Sequence, residues 1–508
     1  TFEVDEKVET FEMAKDVHLL PELAEDPDAE LARLVDRGLK QLGVNNPTYR
    51  SRAKEELEII RDKQFAPYFL VVADAINWAM SQGIRVGPGR GSGVGSLVNY
   101  AIGNTHVDPV AHGLLFSRFI DPSRPDWPDI DVDIEKSRRE EVKAYVANKY
   151  VHVAGIATYQ KFQDKGMIKD IARVFNVPLA EVNKVNKLIE FWDEFKDSPT
   201  VKKFRDEYKF IEIYGDQLRG RTRGTGVHAS GMVTSIIPIA EVAPIETRAP
   251  ANRDRVPVVA VDMEETADVG LIKLDFLGLK TLSILSDTVE LIKQRTGKYI
   301  DLEDLDRADP NVYNMLSSGH TMGVFQCEQA PYTKLLVQMG VSSFDELAAT
   351  NALVRPGAAK TIGKEYISRK QGKRKVVYVH KDVESFTSET YGLPIYQEQI
   401  MQLCTELAGM TMVEANAVRR ITSKKKDASA LEPYRLKFVA GAAEKIGIER
   451  AELLWEDILK WSGYGFNKSH AVAYSYISYW TAWLKYYYPL EFITSVLKNE
   501  EDKTARTQ

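Results

Sequence analysis

Thiols are nearly missing from this chain of 508 residues: Cys327 and Cys404 are the only two, and neither lies in a CxxC or Cys/His cluster. A disulfide framework and a cysteine zinc site are thereby excluded, and a reducing compartment, the cytoplasm, fits. No apolar run is long enough to cross a bilayer and no secretory signal is visible, so no membrane partner is expected. The common nucleotide fingerprints are missing as well. Nowhere does the chain carry the Gly-Lys-Ser/Thr that ends a Walker loop. The five glycines at 87, 89, 91, 93 and 95 also fail GxGxxG, whose third glycine falls on Ser92, Val94 or Ser96. Surplus positive charge is absent too, since the net charge is −6, which by itself argues against a polyanionic partner.

The distribution of that charge points the other way. Residues 1–36 hold 12 acidic against 3 basic side chains, which leaves the remainder with a net +3. Lys360 to Lys375 carries 7 bases and 1 acid, and the run Arg419 to Lys426 (RRITSKKK) has 5 bases and no acid. Such runs are most often solvated faces; beside a metal site they suggest phosphate contacts. The length suits about three domains. Residues 1–44 read as acidic, mostly helical surface material and 49–82 as helical, followed by a glycine-rich turn at 86–96 and a helix from Leu97. Strands are expected at 128–135, 231–237, 256–262 and 270–276. The stretch 137–227 reads as a polar helical insert, and everything beyond 280 as helical. The fold class is α+β.

The chemistry starts at Pro128–Glu135, where carboxylates alternate with Ile130, Val132 and Ile134. On a strand the apolar residues face a core and the acids share the other side, about 6.5–7 Å apart. Like charges so spaced raise one another's pKa unless a polyvalent cation lies between them. A solvent-facing strand is the plain alternative. The glycine turn offers flexible backbone N–H groups to an anion, followed by a helix N-terminus, with Ser92 and Arg90 adding a hydroxyl and a charge. A second strand, Gly270–Gly278, puts Lys273 and Asp275 on one face.

Taken together, GRGSGVGSLV, FSRFIDPSRPDWPDIDVDIE, HASGMV, LIKLDFLGLKTL, GVFQCE, ALVRPGA, YGLPIYQEQIM, VRRITSKKK and SGYGFNKSHAVAYSYISYWTAWLKYYYP resemble, in order over about 45–500, the C-family DNA polymerases, the family of the bacterial DNA polymerase III alpha subunit. The resemblance implies a polymerase-beta-like nucleotidyltransferase palm at 45–152 and 228–282, a helical thumb at 153–227 and helical fingers at 283–508, after an N-terminal segment 1–44. It implies that Asp131, Asp133 and Asp275 bind two Mg²⁺ ions, for which Mn²⁺ can substitute. Gly91, Ser92 and Lys273 then meet the incoming triphosphate, with Arg118 and Arg124 as further phosphate ligands. Arg419 and Arg420 face it from the fingers, as do Asn467, Lys468, Ser469 and His470 of the Asn-Lys-Ser-His motif. The expected reaction is template-directed DNA synthesis from deoxynucleoside triphosphates on a primer-template.

Independently, Lys161, Lys165, Lys169 and Arg173 recur every four residues and suggest one basic helical stripe facing duplex phosphates; in the family this block is the thumb. Among the aromatics from Tyr474 to Tyr488 most form core, while Tyr474, one turn past His470, is placed to stack on a base. The chain opens at Thr1, without the histidine-rich phosphoesterase module of the family and without the domains beyond the fingers, so it reads as an excerpt. Sliding-clamp and other replisome contacts are expected through those regions. Ala358-Ala359, Ser423 and His228–Gly231 depart from the family's usual residues and point to a divergent member, for which a phage source would account. A template-independent transferase and a non-catalytic binding relative are the rival readings; the basic runs speak against the first and the three carboxylates against the second.

Overall fold

The computed structural model describes residues 19–248, 256–263, 265–423, 428–463 and 465–500. Helix dominates and strands are few, so the mixed α/β character expected from the sequence holds. The chain forms two compact units: 151–273 with the preceding Leu19, and 20–150 together with 274 onward.

From its N-terminus the larger unit runs through helices α1 (Pro27–Gln41), α2 (Pro47–Asp62), α3 (Ala66–Ser81) and the short α4 (Leu97–Ala101), then strand β1 (Asp131–Glu135) and helix α5 (Arg139–Lys149). Their starts are written locally. Asp26 and Asn46 cap α1 and α2 through their side chains, each followed by proline at the first helical position. Helix α3 is apolar nearly all round and is buried accordingly.

The smaller unit opens with β2 (His152–Lys161), continues through α6 (Asp164–Val174) and further short helices between 179 and 218, and returns as β3 (Thr222–Ser235), β4 (Ile245–Arg248) and β5 (Val256–Val259). Strand β2 pairs antiparallel with β3 and parallel with β5, and β5 pairs antiparallel with β4. Its helical part has its own core around Met167, Ile171, Trp192, Phe195 and Ile211. The helical reading of 137–227 holds for α5 and for the helices between 164 and 218, but two strands interrupt it. Strand β2 occupies 152–161, and β3 begins nine residues earlier than the 231 expected. Strand β2 owes its conformation to its two neighbours in the sheet, which local periodicity does not report.

Strand β6 (Ile272–Leu279) leads back into the larger unit, followed by helix α7 (Lys280–Thr296) and, among the described residues, by helices without a further strand, including α8 (Met412–Ser423) and α9 (Lys468–Tyr487). The core there gathers Leu282, Leu285, Val312, Leu336, Tyr479 and Trp480, so most of the late aromatic series is packing, as expected. Of the basic run 419–426, Lys424, Lys425 and Lys426 lie outside the described residues, as do 1–18 of the acidic N-terminal segment.

Candidate active site

Strand β1 lies parallel to β6 with Asp131 directly opposite Asp275. Paired residues of parallel strands project to the same face, and Asp133, two residues on, shares it. The apolar side behaves as expected, with Ile130, Val132 and Ile134 buried. The acidic side is covered along most of the strand: Asp129 is exposed and Asp131 half-buried, but Asp133, Glu135 and Asp275 are buried too. Burial pushes the Asp133 carboxyl up to about 6, with the charge of Asp275 adding to the rise and Arg90 opposing it. Asp133 Oδ2 is shut off from solvent and meets no hydrogen-bond donor among the described residues.

The glycine turn reaches these carboxylates because its first residues run along the other edge of β1. Val86 bridges Ile134 antiparallel, and Gly87 N–H donates to the Asp133 carbonyl at 2.8 Å. Gly91 has φ +67°, and a Cβ there would stand 3.4 Å from Asp131 Oδ2, so the turn passes the carboxylate at contact distance. Ser92 follows, partly exposed, its hydroxyl making no hydrogen bond among the described residues.

Arg90 supplies the local countercharge. Its Nη1 lies 3.4 Å from Asp133 Oδ1 and its Nε 3.9 Å from Asp131 Oδ2. The guanidinium also rests 5.8 Å from the ring centroid of Tyr474. Gly91 N–H donates to His470 Nδ1 at 3.3 Å, and the His470 and Tyr474 rings pack at 4.1 Å. Burial pushes the imidazole down to about 4, helped by Arg90, so His470 is neutral near pH 7 and its Nδ1 can accept that hydrogen bond. Tyr474 thus packs on protein rather than standing free for a base.

A second group gathers around Asp121. Arg420 lies 3.7 Å from it, Asn416 donates to it at 2.9 Å, and Arg419 Nε donates to Asn416 Oδ1 at 2.8 Å. Arg118, on the short turn Phe116–Arg118, donates to Gln397 Oε1 at 3.0 Å. Burial pushes Arg419 down to about 9, and the neighbouring Arg118 charge adds to that. The sequence-expected Arg118, Arg419 and Arg420 therefore form one half-buried cationic cluster, and the Phe116–Arg118 turn touches both α8 and the Gly93–Gly95 turn. Arg124 is elsewhere engaged, with Asp126.

The Asn-Lys-Ser-His motif divides its work. Asn467 caps α9, accepting from His470 N–H at 3.3 Å. Lys468 does not present a free ammonium: its Nζ is paired with Glu389 at 2.7 Å and its N–H donates to Glu398. Ser469 is buried, its hydroxyl without a hydrogen-bond partner among the described residues.

Lys273 stands on β6 two residues before Asp275, with Nζ 3.4 Å from Met263 Sδ, and belongs to the smaller unit. The four-residue basic stripe is broken: Lys161 ends β2, and only Lys165, Lys169 and Arg173 are on α6. Arg173 is 3.3 Å from Asp170, which also takes Arg223 at 2.5 Å. The loop 162–163 interrupts the helical count that the spacing implied.

Among the described residues, no three carboxylate, imidazole or thiol groups converge on one point as a closed metal centre would require. The donor set nonetheless suits hard divalent ions: oxygen ligands only, facing across two strands, one oxygen buried without a hydrogen-bond donor, and with a cation already beside them. Among the described residues, no helix is long and apolar enough to cross a membrane.

Family models place these elements in context. Residues 29–278 match the bacterial DNA polymerase III alpha NTPase domain, and 281–446 match the alpha subunit finger domain. The chain is 40% identical to the DNA polymerase III subunit alpha of Aquifex aeolicus, over 99% of its own length and 47% of that protein's. It is 37% identical to the subunits of the same name from Campylobacter jejuni (98% and 42%) and Bacillus subtilis (93% and 44%). The chain thus spans less than half the length of these relatives.

Proposed function

Because the chain belongs to the family of the bacterial DNA polymerase III alpha subunit, we propose that it carries out template-directed DNA synthesis, adding deoxynucleotides to a primer 3′ end. The observation that carries the proposal is the register of Asp131 opposite Asp275, with Asp133 on the same face and the Gly91–Ser92 turn in contact with Asp131.

In this reading Asp131, Asp133 and Asp275 hold two Mg²⁺ or Mn²⁺ ions. Bound there, the ions would lower the pKa of the primer hydroxyl and offset charge on the departing pyrophosphate. Gly91 offers a turn that bulk cannot block, and the Ser92 hydroxyl is available as a donor to the triphosphate. Arg118, Arg419 and Arg420 concentrate the positive charge that a polyphosphate tail requires. Arg124, Lys273 and Lys468 are further phosphate ligands in this reading, and Lys468 must first leave Glu389. Asn467 sets the start of α9, Ser469 is a further nucleotide contact in this reading, and His470 holds the turn through Gly91.

The layout proposed is a palm at 45–152 and 228–282, a thumb at 153–227 that holds primer-template with Lys161, Lys165, Lys169 and Arg173, and fingers at 283–508. Because strand β2 pairs with β3, the thumb proper in this reading is the helical part. Sliding-clamp and replisome contacts would use the additional length that the relatives possess, in the cytoplasm.

Primer extension with each deoxynucleotide, with and without Mg²⁺, tests the reading. Asp133→Asn is expected to abolish extension while leaving DNA affinity nearly unchanged. Substantial extension by that variant overturns the assignment.

A further inference from the structure

The helix that follows the glycine turn has its N-terminus already filled. Glu56, on α2 and 1% exposed, accepts Leu97 N–H at 3.0 Å, Val98 N–H at 3.1 Å and the Ser96 hydroxyl at 2.9 Å. These are the first donors of α4, the groups that an anion at a helix start would claim. The expectation that this N-terminus cradles a phosphate is therefore overturned: a carboxylate from 40 residues upstream sits there.

That carboxylate is held in turn. Arg52, one helical turn earlier on α2, pairs with Glu56 at 2.9 Å, and its Nη2 donates to the Gly95 carbonyl at 2.6 Å. The pair grips consecutive groups from Gly95 to Val98, the C-terminal anchor of the turn that begins at Arg90. Two further contacts close the clamp. Asn99 Nδ2 donates to the Gly93 carbonyl at 3.0 Å, and Gly95 is pressed so closely that a Cβ would meet the Leu115 carbonyl at 2.9 Å and Ser469 Oγ at 3.2 Å.

We infer that Glu56 and Arg52 are positioning residues of the glycine-serine turn, fixing where Gly91 and Ser92 present themselves to the triphosphate. The inference rests on the reading that this turn receives the nucleotide. Neither residue touches substrate; each acts through the backbone it holds. A buried carboxylate that accepts from Leu97 N–H, Val98 N–H, the Ser96 hydroxyl and Arg52 defines one geometry, whereas an amide in its place presents an N–H₂ group to donors and must release at least one.

The test is single-turnover extension of a primer-template by the parent chain and by Glu56→Gln, titrated with deoxynucleotide, alongside DNA binding by anisotropy. The expected result is a rise in nucleotide Kd of about tenfold or more, with the maximal rate and DNA Kd changed less than about threefold. Arg52→Lys keeps the charge, loses the Gly95 contact, and is expected to raise the nucleotide Kd in the same direction by a few-fold; it carries the test if Glu56→Gln does not fold. Nucleotide Kd values equal to the parent's in folded variants overturn the inference and leave the polymerase reading intact. A parent chain that neither binds nor incorporates nucleotide overturns the polymerase reading, and this inference with it.

Discussion

Arg90 lies against Asp133, Nη1 to Oδ1 at 3.4 Å, in the space beside Asp131 where the proposed function requires divalent ions. A guanidinium is a monovalent cation of fixed shape, and in the metal-free protein it offsets part of the repulsion among buried carboxylates. In the proposed function, metal binding and the Arg90 contact would compete for the same oxygens.

Removing the guanidinium should show that competition. Arg90→Gln is expected to tighten Mn²⁺ binding several-fold, read by titration calorimetry or electron paramagnetic resonance. In chelator the variant should be less stable by about 1–3 kcal/mol, because a buried acceptor loses its partner. Mn²⁺ should restore more melting temperature to the variant than to the parent. Weaker Mn²⁺ binding in the variant would mean that Arg90 organises the carboxylates instead of occupying their centre.

His470 gives a pH signature. Its folded pKa of about 4 lies below the ordinary value of 6.5, so the neutral ring favours the folded state. That contribution is complete above pH 6.5 and is lost as pH falls from there through about 4. The parent should therefore lose melting temperature over that interval more steeply than His470→Asn, which has no proton to gain. An imidazole titration followed by nuclear magnetic resonance should have its midpoint near 4; a midpoint at the ordinary histidine value would mean that the ring is solvated and the Gly91 contact is not made.

Arg419 predicts two effects of opposite sign. Burial near Arg118 and Arg420 leaves like charges close together, a cost in the free protein and an attraction for polyphosphate. Arg419→Gln should raise the melting temperature of the ligand-free protein while weakening deoxynucleotide binding by about tenfold to a hundredfold, the scale of a charge-assisted hydrogen bond. Tripolyphosphate should stabilise the parent in a thermal scan and the variant much less. A variant destabilised without ligand would show that Arg419 is a structural partner of Asn416 and little more.

These residues differ in how far the sequence declared them. The acidic face of β1 was legible because strict alternation has a period that only a strand satisfies, but alternation does not separate Asp129 from Asp131 and Asp133, and the family resemblance made that choice and supplied Asp275. What alternation could not show is that the acidic face is covered, since burial of Asp133 comes from segments remote in sequence. Strand β2 escaped for the same reason: its small and polar residues lack a strong period, and β3 and β5 define it. Glu56 was hidden among Glu55, Glu58 and other surface-like acids, with only Arg52 four residues before it as a sign. Lys468 was legible as part of a motif, but its ion pair with Glu389 depends on a contact between segments almost 80 residues apart.

Gly95→Ala isolates the clamp on the turn without touching a charge. The new methyl would stand 2.9 Å from the Leu115 carbonyl and 3.2 Å from Ser469 Oγ, and a backbone oxygen cannot rotate aside as a flexible side chain can. The turn or the 114–116 segment must shift, at about 1–3 kcal/mol, typical of overpacking. Chemical denaturation should record that loss with an unchanged m-value. Because Ser92 precedes Gly95 by one short turn whose N–H bond closes on the Ser92 carbonyl at 2.9 Å, the shift should reach the nucleotide site as well. A weaker deoxynucleotide affinity with unaltered DNA binding is therefore expected. Full stability together with unchanged nucleotide affinity would mean that Leu115 and Ser469 yield freely and that the turn is not held between α2 and α9.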